Sequence, residues 1–394
     1  MRKNKAANPG LRVLITLVLS MLLVFAVGFQ VSHRAAASET EKPAPVPEKK
    51  TITKETVKMI QFNTKQLKAG TPAAGTQIQW SSSNINVCVV SPSGLVQAVN
   101  GGSCTITAVN QNTTYKWPVK VTPLQLNKTS MMLIRRRPGE TLSLNNKNAK
   151  NATSWSSSHT SVATVNSSGY VTPHAAGSAV ISAKWNGVTL TCTVQVKDAT
   201  VDTLRSFRNP KSSSNQKKVI LAGASLLDHW TSAYSAFGST TIINNAIPDS
   251  FFANWNSWYK KLITQYNPKV VVLCLGTDDI GAGPFITGEQ AAEKMQKLIE
   301  KIHKKCKKTK IFYVSLPLYP MNPTAWDATN TYNSLMKDYC SKKKFMTYLN
   351  LTTPLLAGSE PIEIYFKAPN TYLSPEGYNV VNSVVVKKVK KAAK

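Results

Sequence analysis

Between residues 53 and 198, apolar and polar residues alternate over short runs, and clusters of Ser, Gly and Asn separate the runs. Alternation with a period of two predicts strands that bury one face, and many short strands in succession predict a sandwich. From Lys217 onward the pattern changes. The runs KKVILAGAS, TTIINNA, KVVVLCLG, KIFYVSLPL and FMTYLNL are apolar without alternation, and stretches with helical spacing lie between and after them. Strands buried on both faces read this way, so the pattern predicts a five-stranded parallel sheet with helices on both sides. In the segment GEQAAEKMQKLIEKIHKKC, Met295, Leu298, Ile299, Ile302 and Cys306 form one apolar stripe. Lys301, Lys304, Lys305, Lys307 and Lys308 gather near its C-terminal end, where they complement the helix dipole. A grip on a polyanion is the competing reading.

The chain begins differently. Arg2, Lys3, Lys5 and Arg12 precede the apolar stretch Val13–Phe29, and Arg34-Ala35-Ala36-Ala37-Ser38 follows it. A positive start, an apolar centre and a small-residue A-x-A site form an export signal, with cleavage expected after Ala37. The apolar stretch also reaches the lower limit for a bilayer span, so an uncleaved membrane anchor is the alternative for residues 1–37. Both readings place the remainder outside the cytoplasm, secreted or at the cell surface. Residues 38–52 are polar and Pro-rich and read as a linker.

The alternating region contains an internal repeat. Trp80 begins WSSSNINVCVVSPSGLVQAVNGGSCTITA, and Trp155 begins WSSSHTSVATVNSSGYVTPHAAGSAVISA, with no gap between the aligned copies. Gly94 and Gly169 fall between strand-like runs, where a turn calls for positive φ. The shared pattern of W-S-S-x, V-x-x-V, G-x-V and G-S-x-x-I-x-A resembles the bacterial immunoglobulin-like domains of surface adhesins, invasins and many secreted enzymes. The resemblance implies two small β-sandwiches, over residues 53–122 and 123–198, serving as spacer, stalk or adhesive module. Cys88 and Cys104 of the first copy align with Ala163 and Ala179 of the second. That paired exchange predicts side chains facing each other and a Cys88–Cys104 disulfide, which an exported protein permits and which would contribute about 3 kcal/mol. Cys192, Cys274, Cys306 and Cys340 lack metal-ligand spacing, so no zinc site is expected, and Cys274 reads as a buried thiol.

Residues 199–216 are Ser-rich and polar and read as a second linker, leading to a domain over 217–394. In doubly wound sheets, ligands bind at the carboxyl ends of the strands. Gly223-Ala224-Ser225, Asn245-Ala246, Gly276-Thr277-Asp278-Asp279 and Leu373-Ser374-Pro375-Glu376-Gly377-Tyr378 occupy or approach such ends. Together they resemble the blocks of the SGNH (GDSL-type) hydrolases, whose known members are esterases, lipases and carbohydrate deacetylases. The resemblance implies Ser225 as nucleophile, in a Gly-Ala-Ser rather than a Gly-Asp-Ser setting. It places Ala246 where the family has an oxyanion-hole Gly, Asp278 where it has an oxyanion-hole Asn, and Pro369 and Tyr372 where it has the Asp and His of the base pair. An ionised Asp278 cannot donate to an oxyanion, and loss of one such donor costs roughly 3–4 kcal/mol of transition-state stabilisation. A phenol is a poor base at neutral pH, so Tyr372 is a weak replacement for the histidine. Of the five histidines, only His229 lies near Ser225, one helical turn on.

Hydrophobic residues form 42% of the 394 and charged residues 17%, which supports buried cores and excludes a disordered chain. The formal net charge of +29 is shared between the two halves and favours anionic surroundings. G-x-S-x-G, Walker A, H-E-x-x-H, helix-turn-helix and RNP motifs are all missing from the sequence. Neither a cofactor nor a metal nor nucleic acid is therefore expected. The expectation is a multidomain, exported cell-surface protein with two all-β Ig-like sandwiches and a C-terminal α/β doubly wound, SGNH-hydrolase-like domain. That domain is expected to have lost or reduced its esterase activity and to bind an acylated carbohydrate or an anionic cell-wall polymer. One alternative is an active esterase or carbohydrate deacetylase using Ser225, with His229 as base. Another is an adhesin acting through its Ig-like modules.

Overall fold

The computed structural model describes residues 48–150, 153–281, 286–367 and 372–394. The expected export segment 1–37 and Pro369 lie outside the described residues. Among the described residues, no helix is long and apolar enough to cross a membrane.

The first repeat contains β1 (Lys50–Thr53), β2 (Val57–Ile60), β3 (Thr64–Gln66), β4 (Gln79–Ser82), β5 (Cys88–Val90), β6 (Leu95–Ala98), β7 (Gly102–Asn110) and β8 (Thr113–Thr122). One sheet runs β1-β8-β7-β4, with β2 also pairing β8, and the other runs β3-β6-β5. Residues 50–52, at the end of the expected linker, are thus part of β1, which lies parallel to β8. The second repeat contains β9 (Ser130–Ile134), β10 (Glu140–Thr141), β11 (Ser154–Ser157), β12 (Ala163–Val165), β13 (Tyr170–Pro173), β14 (Gly177–Trp185) and β15 (Val188–Lys197). Its sheets run β11-β14-β15-β9 and β10-β13-β12, so the sequence repeat is also a repeat of topology. The repeated Trp and Gly explain each other. Gly94 and Gly169 both have φ near +80°, and a Cβ there would stand 2.5 Å from the Trp80 ring or 2.8 Å from the Trp155 ring. Each tryptophan packs over a turn that only glycine leaves open.

Cys88 and Cys104 do face each other in the core of the first sandwich, but as free thiols. The expected disulfide is not formed. Burial, and then a hydrogen bond with Cys104, push the Cys88 thiol up to about 12; the pair is held by packing and that hydrogen bond rather than by a covalent link.

The chain gathers into two compact units. One contains the first sandwich with segments 143–154 and 183–190; the other contains segments 128–142 and 155–182 together with residues 191–394. In the second unit, residues 199–216 are not a free linker. They contain α1 (Val201–Phe207), capped by the Thr200 side chain on the Thr203 N–H. Leu204 and Ala199 are buried in the same core as the C-terminal strands. The segment's polar composition concealed one apolar anchor per helical turn.

The C-terminal sheet contains β16 (Val219–Gly223), β17 (Ile242–Asn244), β18 (Val270–Cys274), β19 (Lys310–Val314) and β20 (Met346–Leu349). All pairings are parallel, in the order β17-β16-β18-β19-β20. Every residue of β16 and β18 is buried, which is why their sequences do not alternate. The order reverses beside β16, so the end of that strand is the switch point where ligands bind in such sheets. Trp230, Trp255, Tyr266, Tyr313 and Tyr332 are the largest fully buried side chains of this core.

Candidate functional site

Ser225 follows β16 at this switch point and opens α2 (Ser225–Asp228), which α3 (Ala233–Phe237) follows. Gly223 has φ +149°, and a Cβ there would stand 1.9 Å from the Cys274 carbonyl oxygen of β18. Strands β16 and β18 therefore approach closely just before the serine, and the chain turns outward with Ser225 at the rim of a cavity. The cavity measures about 460 Å³ and is lined by Ser225, Asp249, Asp278, Tyr319, Trp326 and Tyr372, among others. That is within the range of sites for small organic ligands.

The hydroxyl of Ser225 is engaged by a residue that sequence reasoning missed. Ser225 Oγ donates to Asp249 Oδ1 at 3.2 Å and accepts from the Asp249 N–H at 3.1 Å. Asp249 has φ +52°, a left-handed conformation that favours glycine. Asp249, not Ala246, is thus the position of this loop that faces the serine. Ala246 is fully buried, and its N–H is used by the Asn244 side chain at 3.0 Å, so it offers no donor to the cavity.

Asp278 lies in the first turn of α5 (Thr277–Gly281), after β18, and lines the cavity. Burial, then the nearby negative charges of Asp249 and Asp279, push its carboxyl up to about 6. Its Oδ2 is buried and has no hydrogen-bond partner. Asp279 points elsewhere, to the Phe252 N–H at 3.0 Å that begins α4 (Phe252–Leu262).

His229 does not reach the serine hydroxyl. Its Nδ1 lies 2.8 Å from the Ser225 carbonyl oxygen, so that nitrogen carries the proton and donates to the backbone. Its ring stacks on Tyr372, with centroids 4.5 Å apart. Burial, and then the Arg136 charge, lower its pKa, which keeps it neutral at pH 7. Tyr372 lines the cavity through this stack.

Behind α2 and the Asp249 loop sits a buried ionic clasp. Asp228 is fully buried. Arg136 pairs with its Oδ2, and Arg137 Nη2 lies 2.9 Å from its Oδ1. Arg137 also donates to the carbonyl oxygens of Asn244, Asp228 and Ala246 at 3.1, 3.2 and 2.8 Å. One guanidinium thus ties α2 to the loop that carries Asp249. The sequence held one signal for it: Arg135-Arg136-Arg137 stands out in a chain whose other basic residues are mostly lysines, and Arg suits buried, multidentate pairing better than Lys.

Residues 222–380 match the model of the GDSL-like Lipase/Acylhydrolase family. These residues form a GDSL-like lipase/acylhydrolase domain. Residues 47–121 match the bacterial Ig-like domain (group 2). Among solved structures, the GDSL-like domain is similar to a GDSL-like lipase from Bacteroides thetaiotaomicron, at 16% identity over 48% of this chain and 96% of that one, with a TM-score of 0.42. It is also similar to a lipase/acylhydrolase from Enterococcus faecalis, at 15% identity over 45% of this chain and 96% of that one, with a TM-score of 0.37. A carbohydrate esterase family 3 protein from Talaromyces cellulolyticus matches at 8% identity over 45% of this chain and 98% of that one, with a TM-score of 0.38. No curated protein matches the chain. Among the described residues, no group of three or more His, Cys, Asp or Glu is placed to hold a metal ion.

Proposed function

We propose that the GDSL-like domain binds an acylated carbohydrate in the cavity beside Ser225 without turning it over efficiently, in a protein exported to the cell surface. The observation that carries this reading is the partner of the serine. Ser225 Oγ donates to the Asp249 carboxylate, and the imidazole of His229 is committed to a backbone carbonyl. A carboxylate is a weak general base for an alcohol at neutral pH. Two carboxylates, Asp249 and Asp278, border the space where an oxyanion would form, and their charge opposes it. The same features suit a sugar: carboxylates accept from hydroxyl groups, and Tyr319, Trp326 and Tyr372 offer flat apolar faces. The positive start and A-x-A site of the N-terminal sequence support export.

The test offers short acyl-nitrophenyl esters and acetylated oligosaccharides to the full chain, beside Ser225→Ala. Hydrolysis is expected to be equal in the two proteins. Faster turnover by the parent would overturn the reading. Binding of acetylated oligosaccharide, followed by tryptophan fluorescence, is expected to weaken about tenfold in Asp249→Ala, since a hydrogen bond to a charged acceptor contributes roughly 1.5–3 kcal/mol.

The alternative, hydrolysis through Ser225, is favoured by one observation. Asp278 titrates near 6, and in its protonated form it is a donor that stands in for the family's Asn. Such hydrolysis rises as pH falls through about 6. A serine–histidine mechanism shows the opposite trend, because protonation removes its base.

A further inference from the structure

The end of the GDSL-like domain opposite the cavity carries a row of lysines at the starts of the parallel strands. The Lys269 N–H donates to the Lys218 carbonyl at 3.1 Å, and the Lys310 N–H donates to the Lys269 carbonyl at 3.1 Å. Lys310 Nζ reaches the Lys344 carbonyl at 3.3 Å. Lys218 and Lys269 immediately precede β16 and β18, Lys310 opens β19 one residue farther in, opposite Val270, and Lys344 lies two residues before β20, so the four mark the starts of four neighbouring strands, which are spaced about 4.8 Å apart. Lys269, Lys310 and Lys344 are exposed and Lys218 is half-buried. None of the four forms an ion pair among the described residues.

In a parallel α/β sheet the helices run back against the strands, so their C-terminal ends reach this same end of the domain. Helix α4 ends in Lys260 and Lys261, α6 (Gly288–Lys305) in Lys304 and Lys305, and the last helix, α8 (Pro375–Ala393, following α7, Trp326–Ser341), in Lys390 and Lys391. Lysines at helix ends also complement the helix dipole. That account does not reach the strand-start row, which belongs to no helix. The acids of this end are already matched: Glu300 pairs with Lys343 and Asp338 with Lys342. The cavity end is the reverse, with Asp249, Asp278 and Asp279 at the carboxyl ends of the strands. The domain is electrically polarised along its strands.

From this polarity we propose that the strand-start end is a docking surface for a linear phosphodiester polymer, on the face away from the cavity. Residues 217–394 contain no arginine, and their permanent positive charges are all lysines. Ammonium groups act as point charges that hold a phosphate chain without the fixed two-pronged geometry arginine imposes. Four cations at the starts of neighbouring strands suit an extended chain of closely spaced anions, which gains from releasing its counterions. None of the exposed large hydrophobics of the domain (Met321, Leu335, Ile364 and Tyr372) lies among these strand starts or last helical turns, so the face lacks the apolar anchors that seat a protein in a bilayer interface. The surface is separate from the sugar-binding cavity, and either can fail without the other.

The experiment is a salt titration of binding by the full chain, with poly(glycerol phosphate) as probe and phosphatidylglycerol vesicles in parallel. The polymer is expected to bind with a steep, linear dependence of log Kd on log salt concentration. Changing Lys218, Lys269, Lys310 and Lys344 together to Gln should reduce that slope by about three and weaken binding at 0.1 M salt by two to three orders of magnitude. Changing Lys58, Lys65, Lys116 and Lys120 of the first sandwich to Gln removes the same charge and should leave the slope within one unit of the parent. Equal losses in the two variants, an unchanged slope in the first, or binding to vesicles but not to polymer would each overturn the proposal. Circular dichroism reports whether the strand-row variant is folded. If it is not, Lys304, Lys305, Lys390 and Lys391 changed to Gln give the same readout, with the same expected loss and the same overturning result.

Discussion

Asp228→Ala should destabilise the unit that contains the GDSL-like domain by about 3–5 kcal/mol, the usual cost of removing one partner of a buried ion pair. The change leaves Arg136 and Arg137 without their carboxylate, and Arg137 is only 4% exposed. In a unit of this size each kcal/mol moves the midpoint by roughly 2–4 °C, so thermal unfolding should occur roughly 6–20 °C lower. Arg137→Ala should cost a similar amount, because it frees Asp228 and also the carbonyls of Asn244 and Ala246. Joint replacement, Asp228→Leu with Arg137→Met, should recover part of the loss, since an apolar pair of similar volume removes both fully buried charges and leaves only the half-buried Arg136 without its carboxylate. If the double variant unfolds at the sum of the single losses, the clasp is not a coupled pair. The functional counterpart is a looser cavity: the guanidinium joins α2 to the loop of Asp249, so oligosaccharide binding should weaken in the single variants even below their unfolding temperatures.

Asp278→Asn should stabilise the protein at pH 7, an uncommon outcome for a change at a site. Burial and neighbouring carboxylates raise Asp278 to about 6. A carboxyl whose folded pKa lies above its unfolded value is most favourable when protonated. Its contribution is fully present below about pH 4 and is lost as pH rises through about 6. Asparagine, neutral throughout, escapes that loss. Asp278 is partly exposed, so after allowance for solvent screening the gain at pH 7 is about 1–2 kcal/mol. It should shrink to zero as pH falls from 6 to 4. Urea unfolding of both proteins at pH 7, 5.5 and 4 checks this, and a pH-independent difference would remove the electrostatic explanation. The same variant restores a side-chain donor near Ser225, so any residual hydrolysis of acyl esters should increase and lose its rise toward acid pH.

The C-terminal sheet was legible because its strands are buried on both faces and their neighbours are helices, a condition each segment records in its own composition. The repeat was legible for a similar reason: the Trp80–Gly94 and Trp155–Gly169 pairs are close in sequence, and their packing leaves a local trace. Ser225 could be placed at a strand end from the run before it, and the missing histidine at the end of the chain could be read directly. The polar segment 199–216 was misread because a seven-residue helix that fully buries only Leu204, with Val201 and Phe207 half-buried beside it, barely departs from a loop in composition.

The succession of strands and helices, the duplicated sandwich and a serine at the mouth of a parallel sheet each depend on residues near one another in the chain and can be read there. What that serine touches is set by packing between distant segments. The positive φ that turns Asp249 toward Ser225, the Asn244 side chain that takes up the Ala246 N–H and the Arg137 clasp on Asp228, 91 residues away, all arise where distant segments meet. Such contacts follow from how whole elements pack, and no local periodicity encodes them.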